Sequence, residues 1–193
     1  MLNNNRLRTL KLTDEFDNII KGCIQGKRYA QEQLYRIFSP KMYGVCLRYC
    51  RNADEAKDIM QDGFIKVFEK IHQFRNEGSI EGWIRRIIVN TALEYFRKKS
   101  YTLLLDQVPD VREEVEEDWD IGLSSTELLQ LVQNLPERYR MVFNLYVFED
   151  MTHKEIAASM GITEGTSKSD LSRARTFLQN KINSLTKKVA KFG

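Results

Sequence analysis

The chain has 193 residues with 42% hydrophobic and 30% charged side chains, a balance that suits one medium or two small globular domains and excludes a disordered polyelectrolyte. No apolar run of about 18 residues is present to cross a bilayer, and Met1 to Asp14 is too polar for a secretory leader, so a cytoplasmic protein without membrane insertion is expected. The net charge of +3 conceals a division: residues 1–99 carry 19 basic against 12 acidic side chains, residues 100–123 carry 1 against 8, and residues 124–193 carry 10 against 7. Two basic ends suited to a polyanion therefore flank an acidic bridge that repels one.

In chain order, the first helix predicted runs from Ala30 to Arg51, with Leu34, Phe38, Met42, Val45 and Tyr49 facing inwards. Ala53, Ala56, Ile59, Met60, Phe64, Val67, Phe68 and Ile71 then recur at three- and four-residue steps, the apolar stripe of a second helix. On its outer side Glu55, Asp58, Asp62 and Glu69 fall within an arc of about 60°. Such a stripe is ordinarily a solvated face, but beside basic helices it also suits a basic protein partner.

The loop Phe74-Arg75-Asn76-Glu77-Gly78-Ser79 combines an aromatic ring, an amide and a hydroxyl, chemistry able to stack on and bond an unpaired base, although Phe74 also fits as a core plug. A helix from Ile80 to Lys99 follows, expected to pack Trp83, Ile84, Ile87, Ile88 and Tyr95 inwards. Arg86, Asn90 and Arg97 line its far side and Lys98 extends the charge. Val89 and Leu93 lie beside that arc, which leaves open a helix buried on two sides. Residues 100–123 read as an extended or mobile acidic linker.

The second lobe opens on Leu128, Leu129, Leu131, Val132 and Leu135, and Pro136 suits the first turn of a helix filled by Tyr139, Val142, Phe143, Tyr146 and Val147. Thr152-His153-Lys154-Glu155 is a capping-box pattern starting a short helix through Met160. Gly161 ends that helix, and Thr163 caps a last one from about Glu164 to Ile182 or beyond. Ile156, Ala157, Met160 and Ile162 are placed to wedge the two together as a helix-turn-helix. Lys168, Ser169, Ser172, Arg173 and Thr176 cover a wedge of about 140° on the last helix, carrying donors for phosphates and base edges. Asp170 lies about 130° from the wedge centre, where local pairing is expected. Ser167 falls on the apolar side and needs a backbone partner.

Cys23, Cys46 and Cys50 are an odd set without a CxxC pair, expected to be reduced core thiols. Cys46 and Cys50 share a helix face, but His72 and His153 are far along the chain, so no metal or cofactor is expected. The fold class predicted is all-α: two helical domains joined by an acidic linker, the second a helix-turn-helix domain, with boundaries at 1–99, 100–123 and 124–193.

Three segments, ADEAKDIMQDGFIKVFEKI, GWIRRIIVNTALEYFRKK and LPERYRMVFNLYVFEDMTHKEIAASMGITEGTSKSDLSRARTFL, give the chain a resemblance to bacterial sigma factors of the extracytoplasmic-function type. The resemblance implies a non-enzymatic factor that binds core RNA polymerase and promoter DNA, without cofactor, and that commonly meets an anti-sigma factor. Carried over by position, it implies polymerase docking at Glu55, Asp58, Gln61 and Asp62. It implies minus-ten contacts at Arg75, Asn76, Ser79, Arg86, Asn90, Arg97 and Lys98, and minus-thirty-five contacts at Thr166, Lys168, Ser169, Ser172 and Arg173. The acidic bridge is expected to thread the polymerase's nucleic-acid channel. Ser167 stands where many relatives have an aliphatic residue and Asp170 where many have a base. Two other readings stay open on the residues alone: a stand-alone helix-turn-helix regulator, and a helical enzyme built on Cys46/Cys50 or histidine.

Overall fold

A computed structural model describes residues 16–75, 77–102 and 124–192. Among these the secondary structure is helical and no strand occurs. The helices are α1 (16–24), α2 (Arg28–Tyr49), α3 (Ala53–Lys70) followed by a 3-10 turn (Ile71–Gln73), α4 (Ile80–Thr102), α5 (Ser125–Gln133), α6 (Glu137–Phe148), α7 (His153–Met160) and α8 (Glu164–Phe192). This is the all-α architecture that the apolar periodicity predicts. Helix α1 was not anticipated, although Phe16, Ile19, Ile20 and Cys23 supply a helical stripe. Helix α4 continues through Thr102, so residues 100–102 are helical where the acidic linker was expected to be extended or mobile; the rest of that linker, 103–123, lies outside the described residues. By their internal contacts the described residues divide into two compact units, those within 1–46 and 57–91 and those within 47–56 and 92–193.

In the first unit Leu34, Phe38, Met42 and Val45 of α2 are buried as the stripe requires. Pro40 lies inside α2 on an exposed position, where water can satisfy the carbonyl its missing N–H leaves unpaired. On α3, Ile59, Met60, Phe64 and Val67 are buried; at its start, which belongs to the second unit, Ala56 is buried but Ala53 is exposed. Phe64 meets Tyr35 edge-on at 4.7 Å between ring centroids. Gly63 permits a close helix crossing: a Cβ there would collide with the Ile88 side chain and stand 3.5 Å from the Ile88 Cα. Ile80, Ile84 and Ile88 of α4 are buried, and so is Val89, the second stripe left open above.

The second unit keeps the rest of α4, where Leu93 and Phe96 are buried while Tyr95 is 38% exposed, against the inward placement predicted. One helical step separates Tyr95 from Phe96, and the core takes the phenylalanine. Ser124 starts α5 with a reciprocal box: its Oγ accepts from Glu127 N at 3.3 Å, and its own N–H donates to Glu127 Oε2 at 2.8 Å. Leu131, Leu135, Tyr139, Ala174, Leu178 and Ile182 form the core, with Phe143 and Phe177 against it. Leu128 is exposed.

Helix α6 is the most enclosed element, and it buries polar groups as well as apolar ones. Arg140 and Asn144 are fully buried. Helix ends leave their last carbonyls unbonded, and at the end of α2 these side chains supply the missing donors. Arg140 Nε donates to Tyr49 O at 3.1 Å, Asn144 Nδ2 to Arg48 O at 2.9 Å, and Gln133 Nε2 to Leu47 O at 3.0 Å. The final turn of α6 leaves the core. Tyr146 and Val147 are exposed, whereas the sequence pattern assigned them to the filled side. The helix closes with Asp150 in the left-handed region, φ 52°, and Met151 N–H bonded back to Leu145 O at 3.1 Å.

Candidate nucleic-acid interface

The helix-turn-helix is assembled from local chemistry. Thr152 Oγ1 accepts from Glu155 N at 3.3 Å, and Thr152 N–H donates to Glu155 Oε2 at 2.8 Å, the predicted capping box. The Thr152 hydroxyl also donates to Glu155 Oε2 at 2.7 Å; this bond first, and the Thr152 N–H bond second, hold the Glu155 carboxyl below the usual glutamate range. Gly161 ends α7 in the left-handed region at φ 69°, and Thr163 Oγ1 accepts from Thr166 N at 3.0 Å to start α8. Ile156 and Met160 are buried in the wedge, with Ala157 and Ile162 half-buried. Ser167 is fully buried and finds a side chain instead of the backbone: its Oγ lies 3.0 Å from His153 Nδ1. The His153 ring stacks on Tyr146 at 4.8 Å, which gives the exposed end of α6 a role in the turn.

On α8, Lys168 and Ser172 are exposed, and Thr166, Ser169 and Arg173 are half-buried. Thr176 departs from the expected wedge; it is buried and donates to Ser172 O at 3.2 Å. The solvent-facing strip is thus turned by about 50° towards exposed Glu164 and half-buried Arg175, with exposed Gly165 inside it. None of these three was a candidate. Their signal is the 100° spacing itself, once the buried side is known. Glu164 pairs with Lys168 at 2.7 Å, and its carboxyl is held low by that hydrogen bond and by the lysine charge. An exposed pair of this kind is worth little and yields readily to phosphate.

Asp170, on the covered side of the helix away from that strip, is fully buried. Its partner is Arg138 on α6, gripping it with two prongs: Nε to Oδ2 at 2.7 Å and Nη2 to Oδ1 at 3.0 Å. Local pairing along α8 was expected. The principal partner instead comes from another helix, and Arg173, one turn along, stands at 4.0 Å.

In the loop before α4, Arg75 and Ser79 are exposed; Asn76 lies outside the described residues. Phe74 is half-buried against Trp83, ring centroids 5.6 Å apart, so the ring braces the loop. Along α4, Arg86, Asn90, Arg97 and Lys98 are all exposed. Asp58, Gln61 and Asp62 are exposed on α3. Glu55 differs: it is half-buried and accepts from Arg51 N at 3.1 Å, while Asn52 Oδ1 accepts from Asp54 N and Glu55 N at 3.1 and 2.8 Å. That carboxylate helps close the start of α3. Ile65, 56% exposed on the same stripe as Asp58 and Asp62, escaped a reading that followed charge alone.

The three cysteines are buried, and none is in a disulfide. Burial pushes the Cys23 thiol up to about 11 and the Cys46 thiol up to about 12, the opposite of an activated nucleophile. Among the described residues no helix is long and apolar enough to cross a membrane.

Residues 34–102 match the Sigma-70 region 2 family and residues 125–178 match Sigma-70, region 4. The chain is 30% identical over 194 aligned residues to the ECF RNA polymerase sigma-E factor of Haemophilus influenzae, covering 91% of this chain and 98% of that protein. It is 32% identical to the RNA polymerase sigma factor SigV of Bacillus subtilis, over 68% of this chain and 78% of that one. To the ECF RNA polymerase sigma factor SigW of the same organism it is 28% identical, over 86% and 96% respectively.

Proposed function

From the premise that this chain belongs to the extracytoplasmic-function sigma factors of the sigma-70 family, which direct RNA polymerase to specific promoters, we propose how its residues divide that work. Residues 1–99 dock on core polymerase and read the minus-ten element, residues 100–123 connect, and residues 124–193 read the minus-thirty-five element. Polymerase performs the chemistry in the cytoplasm, and this chain selects where it begins.

The observation that carries the reading is the helix-turn-helix, with both caps and the left-handed glycine formed and Lys168 and Ser172 exposed on its second helix. On α4, exposed Arg86, Asn90, Arg97 and Lys98 are spaced to meet phosphates and bases along one strand, and Arg75, Asn76 and Ser79 supply the loop that receives an unstacked base. Trapping a base in this way stabilises melted DNA without bond cleavage. On α3, Asp58, Gln61 and Asp62 offer acid and amide to a basic polymerase surface, with Ile65 as an apolar anchor among them. Glu55 contributes there chiefly by fixing the start of the helix.

Run-off transcription with purified core polymerase and a genomic promoter pool tests this. Added chain should create discrete new start sites, and Asp58→Lys with Asp62→Lys should abolish them by blocking assembly with polymerase. Tight sequence-specific binding of the free chain to duplex DNA, with no change in start sites, would mark a stand-alone regulator instead.

A further inference from the structure

Two cations at the α8 interface are held in different ways. The Lys168 side chain is 60% exposed and, among the described residues, pairs with exposed Glu164. The Arg173 side chain is 26% exposed and stands 4.0 Å from the fully buried carboxylate of Asp170, which Arg138 grips from α6. Tyr139, 2% exposed, lies on the same side; burial raises its phenol, and the charge of Arg173 beside it opposes that rise. Arg138, Asp170, Arg173 and Tyr139 thus form one network beneath the proposed reading surface.

A flexible arginine must give up rotamer freedom when it meets a base edge, whereas one already oriented loses less, and its planar fork then discriminates more sharply. A carboxylate can impose such an orientation only if it is fixed itself. The two-pronged grip of Arg138 provides that, since both carboxylate oxygens are engaged and Asp170 has no exposed surface over which to swing.

Resting on the promoter-reading role proposed above, we propose that Asp170 is a positioning residue. Locked by Arg138, it holds the Arg173 guanidinium in one orientation and so sharpens base preference in the upstream promoter element without touching DNA. Lys168, outside the network, supplies attraction to the backbone that is indifferent to sequence.

The test uses full-length chain assembled with core polymerase and a promoter library randomised across the upstream element. Wild type and Asp170→Asn, Asp170→Glu, Arg138→Lys and Arg173→Ala variants are compared by sequencing their transcripts at several salt concentrations. Arg173→Ala should flatten preference at one or two base pairs by about 10-fold, the scale of one bidentate base contact. Asp170→Asn should flatten the same base pairs and no others, leaving the salt dependence at its wild-type slope. Asp170→Glu should restore part of the preference. Arg138→Lys keeps the charge but gives up the two-pronged grip, so it supplies the comparison if Asp170→Asn folds poorly. The proposal is overturned if Asp170→Asn and Arg138→Lys lower thermal stability yet keep the wild-type base profile, or weaken every promoter by one common factor. It also fails if Arg173→Ala leaves the profile intact. A wild-type chain that directs no promoter-specific transcription would instead remove the functional reading itself.

Discussion

Replacing Arg138 by Met should cost more stability than replacing its partner Asp170 by Leu. The reason is the unequal burial of the pair: the Asp170 side chain is 0% exposed and that of Arg138 37%. Without Arg138 the carboxylate stays in the interior and loses hydrogen bonds of 2.7 and 3.0 Å. Stranding a buried charge typically costs about 3–5 kcal/mol. Arg173, at 4.0 Å, offsets part of this, so the lower end, about 3 kcal/mol, is expected. Without Asp170, by contrast, the guanidinium can turn to water through its exposed third. The loss is then closer to the net worth of the hydrogen bonds, about 1–2 kcal/mol. In a small domain about 3 kcal/mol lowers the melting temperature by roughly 10 °C or more. The double substitution Arg138→Met/Asp170→Leu, which strands no charge, should be less destabilised than the sum of the singles by about 1–3 kcal/mol. Urea unfolding of the four proteins, followed by far-ultraviolet circular dichroism, measures all three terms. Equal costs for the singles, or strict additivity in the double, would refute the asymmetric-burial argument.

Asp150 holds a left-handed conformation at φ 52°, so Asp150→Gly should remove side-chain crowding and raise stability by about 0.5–1 kcal/mol, read as a higher melting temperature. Gly161→Val, at φ 69°, should do the reverse by about 1–2 kcal/mol and weaken DNA binding through disorder of the turn. Glu127 and Glu155 are both held below the ordinary value of 4.5 by hydrogen bonds made only in the folded chain. Their contribution is therefore complete above that value and fades as pH falls through the lower folded values; Glu155→Gln should flatten the acid limb of melting temperature against pH, and an unchanged limb would count against the capping-box role. Gly63→Leu should destabilise the chain markedly, because the tip of the Ile88 side chain already occupies the Cβ position and the Ile88 Cα, 3.5 Å away, leaves no room for the larger side chain; melting curves unchanged from wild type would contradict the close crossing.

Much of this molecule is written in spacing. Helical rise and turn are constant, so the three- and four-residue recurrence from Ala56 to Val67 determined an amphipathic α3, and Thr152, Glu155, Gly161 and Thr163 marked the caps and turn before any packing was known. Periodicity establishes which residues share a face; what covers that face depends on neighbours distant in the chain. The displacement of the α8 strip towards Glu164 and the burial of Thr176 were settled by packing against other helices. So was the exposure of Tyr146, whose ring stacks on His153 outside the core. Polar burial was the least legible. Asp170 could be placed off the reading wedge from its angle, yet Arg138 lies 32 residues away on another helix. Arg140 and Asn144 reach carbonyls 91 and 96 residues distant. Local pattern determined the helices and their caps, whereas these pairings required the chain to close on itself, because a buried charge or amide is tolerated only where the fold delivers its partner.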